Sequence, residues 1–470
     1  IMHAARPKYD LIYYVALAKE LEAAGAHIIA VKDMAGLLKP AAARLLFKTL
    51  KDETSLPLHF HTHDTSGISA ATVLAAVESG ADAVDAAMDA LSGNTSQPCL
   101  GSIVEALAGT EHDTGLDTTA IRKISTYWES VRTQYAAFEN ISQSPASEVY
   151  LHEMPGGQFT NLKAQARSLG LESRWHEVAQ AYADANQLFG DIVKVTPSSK
   201  VVGDMALMMV SQDMTPEDVV DPEKDIAFPE SVVSMLRGDL GQSPGGWPKA
   251  FQDKVLKGEE AITAVPGSLL PDADLEAEKA ALAQTIERDV TEHDLAAYMM
   301  YPKVFTDFAA TQEMYGPTEV LPTPVYFYGM EPGDEVLVDL EKGKTMVITC
   351  LAVGETDEKG MKTVFFELNG QPRRARVPDR AHGAAGSAAR PKADNTNDNH
   401  VGAPMPGVVS QVAVKADDKV EAGDVLVSIE AMKMETAIPA ASDSTIADVQ
   451  VRPSDESDAK VLLVVFEDED

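Results

Sequence analysis

The chain has only two cysteines, Cys99 and Cys350, too few and too far apart in sequence for a disulfide framework. That scarcity suits a reducing compartment and makes a cytoplasmic location the expectation. No run of about 18 apolar residues occurs, so no membrane-spanning helix is expected. Basic residues are also short, with 39 Lys and Arg against 73 Asp and Glu and a formal net charge of -34. Such a field repels phosphate backbones and anionic lipid, which argues against nucleic acid or a membrane as partner. A basic-then-apolar leader is missing, and the first residue is Ile1, which sets the expectation that sequence precedes it. What remains is ordinary folded protein, with 45% hydrophobic and 24% charged residues over 470 positions. Single cores stop growing near ~250–300 residues, so several domains are expected.

Between residues 9 and 109, amphipathic helical runs (11–24, 40–50, 68–79, 97–107) alternate with short apolar strand-like runs (27–31, 56–60, 83–87). Regular alternation predicts parallel β/α units, in a barrel or an open doubly wound sheet. Only three or four units are visible, so the rest of a (β/α)8 barrel would lie upstream of Ile1. Residues 110–300 read mostly as helices, broken at Pro197, Pro216, Pro229 and a Gly-rich stretch at 241–247. Period-two runs at 336–340, 345–353 and 363–368, with an Asn369-Gly370 turn, predict a small antiparallel β module. Residues 378–400 lack apolar periodicity and read as a mobile linker.

Residues 407–430 align without gaps with residues 444–467, pairing Val412 with Val449, Val414 with Val451, Asp418 with Asp455 and Leu426 with Leu463. Two pseudo-symmetric half-domains follow, and Lys433 falls in the connection between them. The second half has drifted: Ser444 and Lys460 stand where the first has Gly407 and Gly423, and Ser457 where it has Val420. If those glycines sit at φ > 0, each replacement weakens the second half by about 1 kcal/mol.

Three groups of residues have chemical potential. Lys433 is flanked by Met432 and Met434. A lysine in a loop is ordinarily just solvated, but here the methionines could pack on an apolar head group and the linker could carry a tethered cofactor between sites. On a strand, His59, His61 and His63 share one face, and two neighbours could chelate a divalent metal, Zn or Mn. The alternative is that they only hydrogen-bond. Lys32 ends the apolar strand one unit earlier. It is an ordinary strand-end charge, a partner for Asp33 or, with a neutral amine, a group that takes up CO2 as a carbamate ligand. Thr196, before Pro197, has the simple reading of a turn or helix cap.

The motif Ala431-Met432-Lys433-Met434 within a repeat of this length resembles the biotinyl domain of biotin-dependent carboxylases. Lipoyl domains share that fold but lack the methionine pair. Together with VKDMAG (31–36), DALSGNTSQP (89–98) and KVTPSSK (194–200), it makes the chain similar to the pyruvate carboxylase family over essentially its whole length. The resemblance implies a multidomain α/β plus β chain. Residues 1–110 would be the C-terminal half of a carboxyltransferase TIM barrel and 111–304 its helical funnel. Residues 305–380 would be a tetramerisation or allosteric β domain, 381–399 a linker, and 400–468 a biotinyl carrier folded as a flattened β-barrel or sandwich.

By the same resemblance Lys433 is the biotinyl-lysine, and His61, His63 and carbamylated Lys32 are metal ligands. Thr196 is the catalytic proton carrier, while Ser199 and Lys200 hold biotin. The implied activity is that of a ligase transferring CO2 from carboxybiotin to pyruvate to give oxaloacetate, in anaplerosis and gluconeogenesis. The implied partners are biotin protein ligase, an ATP-using biotin carboxylase domain upstream, and further copies in a homotetramer. The family's remaining aspartate ligand and its pyruvate-binding residues lie on strands before Ile1, so the chain is expected to be truncated and inactive alone. Two alternatives stand: the α subunit of an oxaloacetate decarboxylase, and a non-catalytic biotin acceptor.

Overall fold

A computed structural model describes residues 7–139, 144–379, 391–394, 397, 399–404, 407–416, 418–431, 434–453, 455–457 and 460–467. Helix α1 (Leu11–Ala23) begins where the Asp10 carboxylate accepts the Tyr13 N–H, at 2.9 Å. It leads to β1 (Ile29–Asp33), α2 (Pro40–Glu53), β2 (Leu58–Thr62), α3 (Ser69–Val77), β3 (Ala83–Val84) and α4 (Leu100–Leu107). The three strands are parallel in the order β1-β2-β3, and Lys32 pairs with His61 across the first ladder. Ala43, Leu46, Phe47 and Leu50 form the buried stripe of α2, which meets Leu58 and Phe60 of β2 in one core. β1 and β2 each end later than the apolar runs alone indicate. Pro57 has no N–H for the ladder, so β2 starts at Leu58 and carries the histidines into the paired strand.

Residues beyond α4 are helical: α5 (Thr118–Thr133), α6 (Val149–His152), α7 (Gly156–Ser168), α8 (Trp175–Leu188), α9 (Ser198–Ser211), α10 (Pro216–Val220), α11 (Glu230–Arg237) and α12 (Lys249–Leu256). Helix α9 is largely enclosed, burying Val201, Val202 and Met205 through Val210 in one core with Tyr182, Phe189, Leu236 and Phe251, while Lys200 in its first turn stays partly exposed. No helix among the described residues is long and apolar enough to cross a membrane.

Residues Leu269–Ala389 form a compact unit of their own. It contains α13 (Leu275–Ile286), α14 (Glu292–Met300), α15 (Pro302–Tyr315), α16 (Thr323–Tyr328) and an antiparallel meander of β4 (Glu335–Glu341), β5 (Lys344–Val353), β6 (Met361–Leu368) and β7 (Gln371–Pro378). Its start at Leu269 takes in helices that sequence periodicity assigns to the region before it. Strand β7 escapes a hydrophobic-pattern search because Arg373, Arg374 and Arg376 dominate a largely exposed strand.

The C-terminal residues build two four-stranded sheets from β8 (His400–Gly402), β9 (Gly407–Val412), β10 (Lys419–Val420), β11 (Val425–Ala431), β12 (Met434–Pro439), β13 (Ser444–Val449), β14 (Glu456–Ser457) and β15 (Leu462–Phe466). The sheet orders, β12-β11-β9-β14 and β8-β15-β13-β10, map onto each other under the numbering offset that takes Val412 to Val449. Register follows the same rule: Val427 pairs with Val412 as Val464 pairs with Val449, and both ladders carry an irregularity at the matching place. The symmetry also reaches beyond the aligned repeat, since Ile438 on Val427 matches Val401 on Val464. Lys460 has φ 67° and its counterpart Gly423 has φ 98°, so the drifted residue keeps the left-handed backbone. Gly407 is different. It is not among the positive-φ glycines, and what it needs is room, because a Cβ there would lie 2.6 Å from Ile429 Cγ2 and 2.7 Å from Glu430 O. Most of the 381–399 linker lies outside the described residues; Lys392 forms an isolated bridge with Val461.

Candidate active site

The chemistry-bearing residues gather at the C-terminal ends of β1 and β2. Lys32 is exposed, while Asp33 is 2% exposed and turns inward. Asp33 accepts the backbone N–H groups of Leu37 (3.0 Å) and Leu38 (2.7 Å), fixing the loop after β1. Its carboxylate is therefore committed to the backbone, and no Lys32–Asp33 ion pair occurs among the described residues. The Ser69 hydroxyl donates to the carbonyl of His63 (2.5 Å), and the His63 N–H donates to the carbonyl of Asp33 (3.2 Å). Backbone bonds thus lock the two strand ends together.

The imidazoles are oriented just as firmly. Asp85, following β3, takes His61 Nδ1–H on one carboxylate oxygen (2.7 Å) and His59 Nε2–H on the other (2.8 Å). His63 Nδ1–H donates to the carbonyl of Thr95 (2.6 Å). Both Nδ1 atoms of His61 and His63 thus face oxygens that can only accept, so each ring keeps its lone pair on Nε2. Those two Nε2 atoms face each other at 3.3 Å. Two lone pairs so placed need a proton or a cation between them, and the spacing suits one ion bound at ~2.0–2.1 Å by both nitrogens. Anchoring of the remote ring nitrogen by a carboxylate or carbonyl is the usual support of a metal-ligating histidine. Burial, helped by neighbouring His61 and Lys32, holds His63 below the ordinary histidine pKa against the opposing Thr95 carbonyl, which keeps it neutral as a ligand must be. Burial would raise the Asp85 carboxyl, but hydrogen bonds from His61 and His59 outweigh it and keep the group ionised. Among the described residues no group of three or more His, Cys, Asp or Glu can hold a metal, so an ion between these two nitrogens would need a further ligand.

The segment before α9 lines a cavity on β1 that His61 and His63 do not border. Residues 192–195 and Glu153 join Lys32, Asp33 and Met34 around a cavity of about 390 Å³ that continues along β1 and α1. Lys194 and Glu153, each only 8% exposed at the side chain, pair at 3.1 Å in its lining. His152 beside them is pushed down to about 4 by burial, against the attraction of Glu153. Thr196 is exposed, and the turn role falls instead to Ser198, whose hydroxyl accepts the Val195 N–H (3.0 Å). Ser199 is buried in the first turn of α9, with its carbonyl accepting from Tyr182 Oη at 3.3 Å. Lys200 Nζ donates to Asp204 one turn on, at 2.5 Å.

Lys433 lies outside the described residues. Pairing of β11 with β12 is described as far as Ala431 opposite Met434, and β12 lies against α11. Sequence reasoning missed Asp85, Thr95, Glu153 and Asp204. Each acts on a partner distant in sequence or hidden inside a helix, so no local pattern marks it.

Three family models match: HMGL-like over residues 5–127, a conserved carboxylase domain over 149–349, and a biotin-requiring enzyme domain over 399–466. Pyruvate carboxylase of Bacillus subtilis is 46% identical over 99% of this chain and 41% of its own length, and the mitochondrial enzyme of Homo sapiens 43% over 95% and 38%. The chain thus spans about two fifths of the curated relatives it matches. Among solved structures, the carboxyl transferase domain of Rhizobium etli pyruvate carboxylase is 72% identical, with TM-score 0.77 over 81% of this chain and 64% of that one. The complete multifunctional enzyme from the same organism is 70% identical, with TM-score 0.76 over 98% and 42%. The three domain models in sequence, and relatives of one kind along nearly the entire chain, make it similar to pyruvate carboxylases throughout the matched residues.

Proposed function

We propose that this chain performs the carboxyl transfer step between biotin and pyruvate, giving oxaloacetate. The observation that carries this reading is the facing pair of anchored imidazoles, His61 and His63, in a chain that ends in a biotin-requiring domain. The related Rhizobium etli domain has been solved with pyruvate and biocytin, which supports the substrate class. In this reading residues 1–110 are half of a TIM barrel, 111–304 its helical funnel, 305–380 a tetramerisation or allosteric domain and 400–468 the carrier. Biotin protein ligase modifies Lys433, a biotin carboxylase domain outside this chain charges the biotin, and the assembly is a homotetramer.

His61 and His63 hold a divalent metal, Zn or Mn, with Lys32 as its third ligand from this chain. Lys32 gains its ligating oxygens when its neutral amine adds to CO2 and loses a proton, leaving an N-carboxylate. Across the ladder from His61, it stands on the same face of the sheet. When bound, the metal supplies a Lewis acid that polarises a ketone oxygen, and biotin supplies a transferable carboxyl group. Thr196 moves a proton between pyruvate and the biotin ring. Its exposed hydroxyl, with no hydrogen bond to another described residue, is free to accept and donate in turn. Ser199 and Lys200 orient the ring.

The test uses a charging-competent enzyme that contains this chain. Lys433→Arg should lose both biotin incorporation, read by mass spectrometry, and oxaloacetate formation. Thr196→Ala should keep full biotinylation yet lose oxaloacetate formation by about 100-fold or more. Biotin uptake by the arginine variant, or undiminished turnover in the alanine variant, would overturn the assignment.

A further inference from the structure

Asp204 sits in the middle of α9 with no exposed surface. One carboxylate oxygen accepts from Lys200 Nζ (2.5 Å) and from Ser231 Oγ (2.6 Å), while the other is buried without a partner among the described residues. An i,i+4 ion pair on a helix is ordinarily an exposed and weak contact. This pair is lopsided, since the lysine side chain is 38% exposed and the aspartate 0%. Burial pushes the carboxyl upward, and Lys200 and Ser231 oppose that push. An apolar side chain would fill the centre of α9 without such a penalty. A buried carboxylate of this kind is useful where it fixes the direction of the charge it holds.

Ser231 adds a second connection. It lies on α11, whose buried face of Val232, Met235 and Leu236 packs into the core that encloses α9. The same helix lies against β12, the strand that follows Lys433. One buried oxygen therefore joins the lysine proposed to meet biotin to the helix that meets the biotin-bearing domain.

We propose that Asp204 is a positioning residue that, together with Ser231, aims Lys200 at the incoming biotin ring and ties that aim to the seating of α11 against the carrier. The inference rests on the reading of Lys200 as a biotin contact. It adds a residue that touches no substrate and acts through another.

A double-mutant cycle on the full, unbiotinylated chain, read as affinity for biocytin, separates positioning from mere stability. Lys200→Met should weaken biocytin binding by roughly ten-fold or more, the worth of a charge-assisted hydrogen bond. Asp204→Asn should weaken it by nearly as much, and the double variant should be no worse than Lys200→Met alone. Ser231→Ala should give a smaller loss, about three-fold, that likewise vanishes in the Lys200→Met background. It carries the cycle if Asp204→Asn fails to unfold cooperatively. Hydrogen exchange in the same samples should speed up at α11 and β12 when Asp204 or Ser231 is replaced, but not when Lys200 is. Wild-type affinity in Lys200→Met would overturn the biotin-contact reading itself. A clear loss in Lys200→Met with none in the Asp204 and Ser231 variants, or with losses that simply add, would overturn the positioning role and leave that reading intact.

Discussion

The ends of β1 and β2 and the C-terminal repeat are organised by different means. At the strand ends the two facing imidazoles are held by partners from other segments, His61 by Asp85 and His63 by Thr95, and Asp33 is tied to the backbone of the loop that follows it, at Leu37 and Leu38. In the repeat, carboxylates such as Asp418, Asp424 and Asp455 accept backbone N–H groups at the turns. Its two sheets are specified by apolar positions that recur in both halves, and Val409, Leu426 and Ile429 are buried just as Ile446, Leu463 and Phe466 are. The proposed metal site spends polar groups on orientation, whereas the repeat rests on a symmetric apolar core. The first design should fail locally when one hydrogen bond is lost. The second should respond equally to equal changes in either half.

The largest effect tests the equality of the halves. Leu426 and Leu463 are both fully buried at corresponding positions. Replacing either with alanine should cost about 2–5 kcal/mol, the range for a buried leucine that leaves a cavity. The two losses should agree within ~1 kcal/mol, because matched sites in a pseudo-symmetric core collapse alike. Hydrogen exchange of the β11 and β15 amides in the full chain reports each loss without requiring a two-state transition. A difference of several-fold between the two would show that one half scaffolds the other.

The same contrast explains what could be read from the chain alone. The carrier was legible because its information is local and written twice: the offset that aligns Val412 with Val449 also fixes strand register and the matching irregularity in each ladder. The β/α alternation was legible through helix periodicity, and His59, His61 and His63 through strand periodicity. Periodicity could not choose which histidines converge, since that depends on Asp85 and on the Thr95 carbonyl, residues 24 and 32 positions away from their partners. Nor could it show Asp204, whose carboxylate sits in a largely buried helix, or β7, whose arginines hide a paired strand.

Removing a single orienting group from the strand ends comes next in size. Asp85→Asn keeps the shape of the side chain but replaces one acceptor oxygen with an NH2 group, so His61 loses the partner that fixes its tautomer or its ring direction. Affinity for Zn²⁺ or Mn²⁺, measured by competition with a chelator, should fall by about 10–100-fold, while global stability changes little. An unchanged affinity would mean that the His61–His63 pair is oriented by packing alone, and the proposed contrast with the carrier would weaken.

The smallest effect asks how far the two carrier halves have diverged. Lys460 holds φ 67° where its counterpart Gly423 holds φ 98°, so the second half bears a left-handed backbone on a residue with a Cβ. That conformation costs ~1–2 kcal/mol for an L-residue. Glycine would remove the strain but lose ~0.5–1 kcal/mol through its freer unfolded chain. Lys460→Gly should therefore stabilise the β13–β15 half by about 0.5–1 kcal/mol. Gly423→Ala should destabilise the β9–β11 half by a similar amount, through the backbone alone, since a Cβ at Gly423 meets nothing within 4 Å. If the two substitutions move local exchange rates in opposite directions, the halves share a backbone and differ only in how comfortably each sequence occupies it. If Lys460→Gly destabilises instead, the lysine side chain is doing packing work that its glycine counterpart never did, and the symmetry ends at that turn.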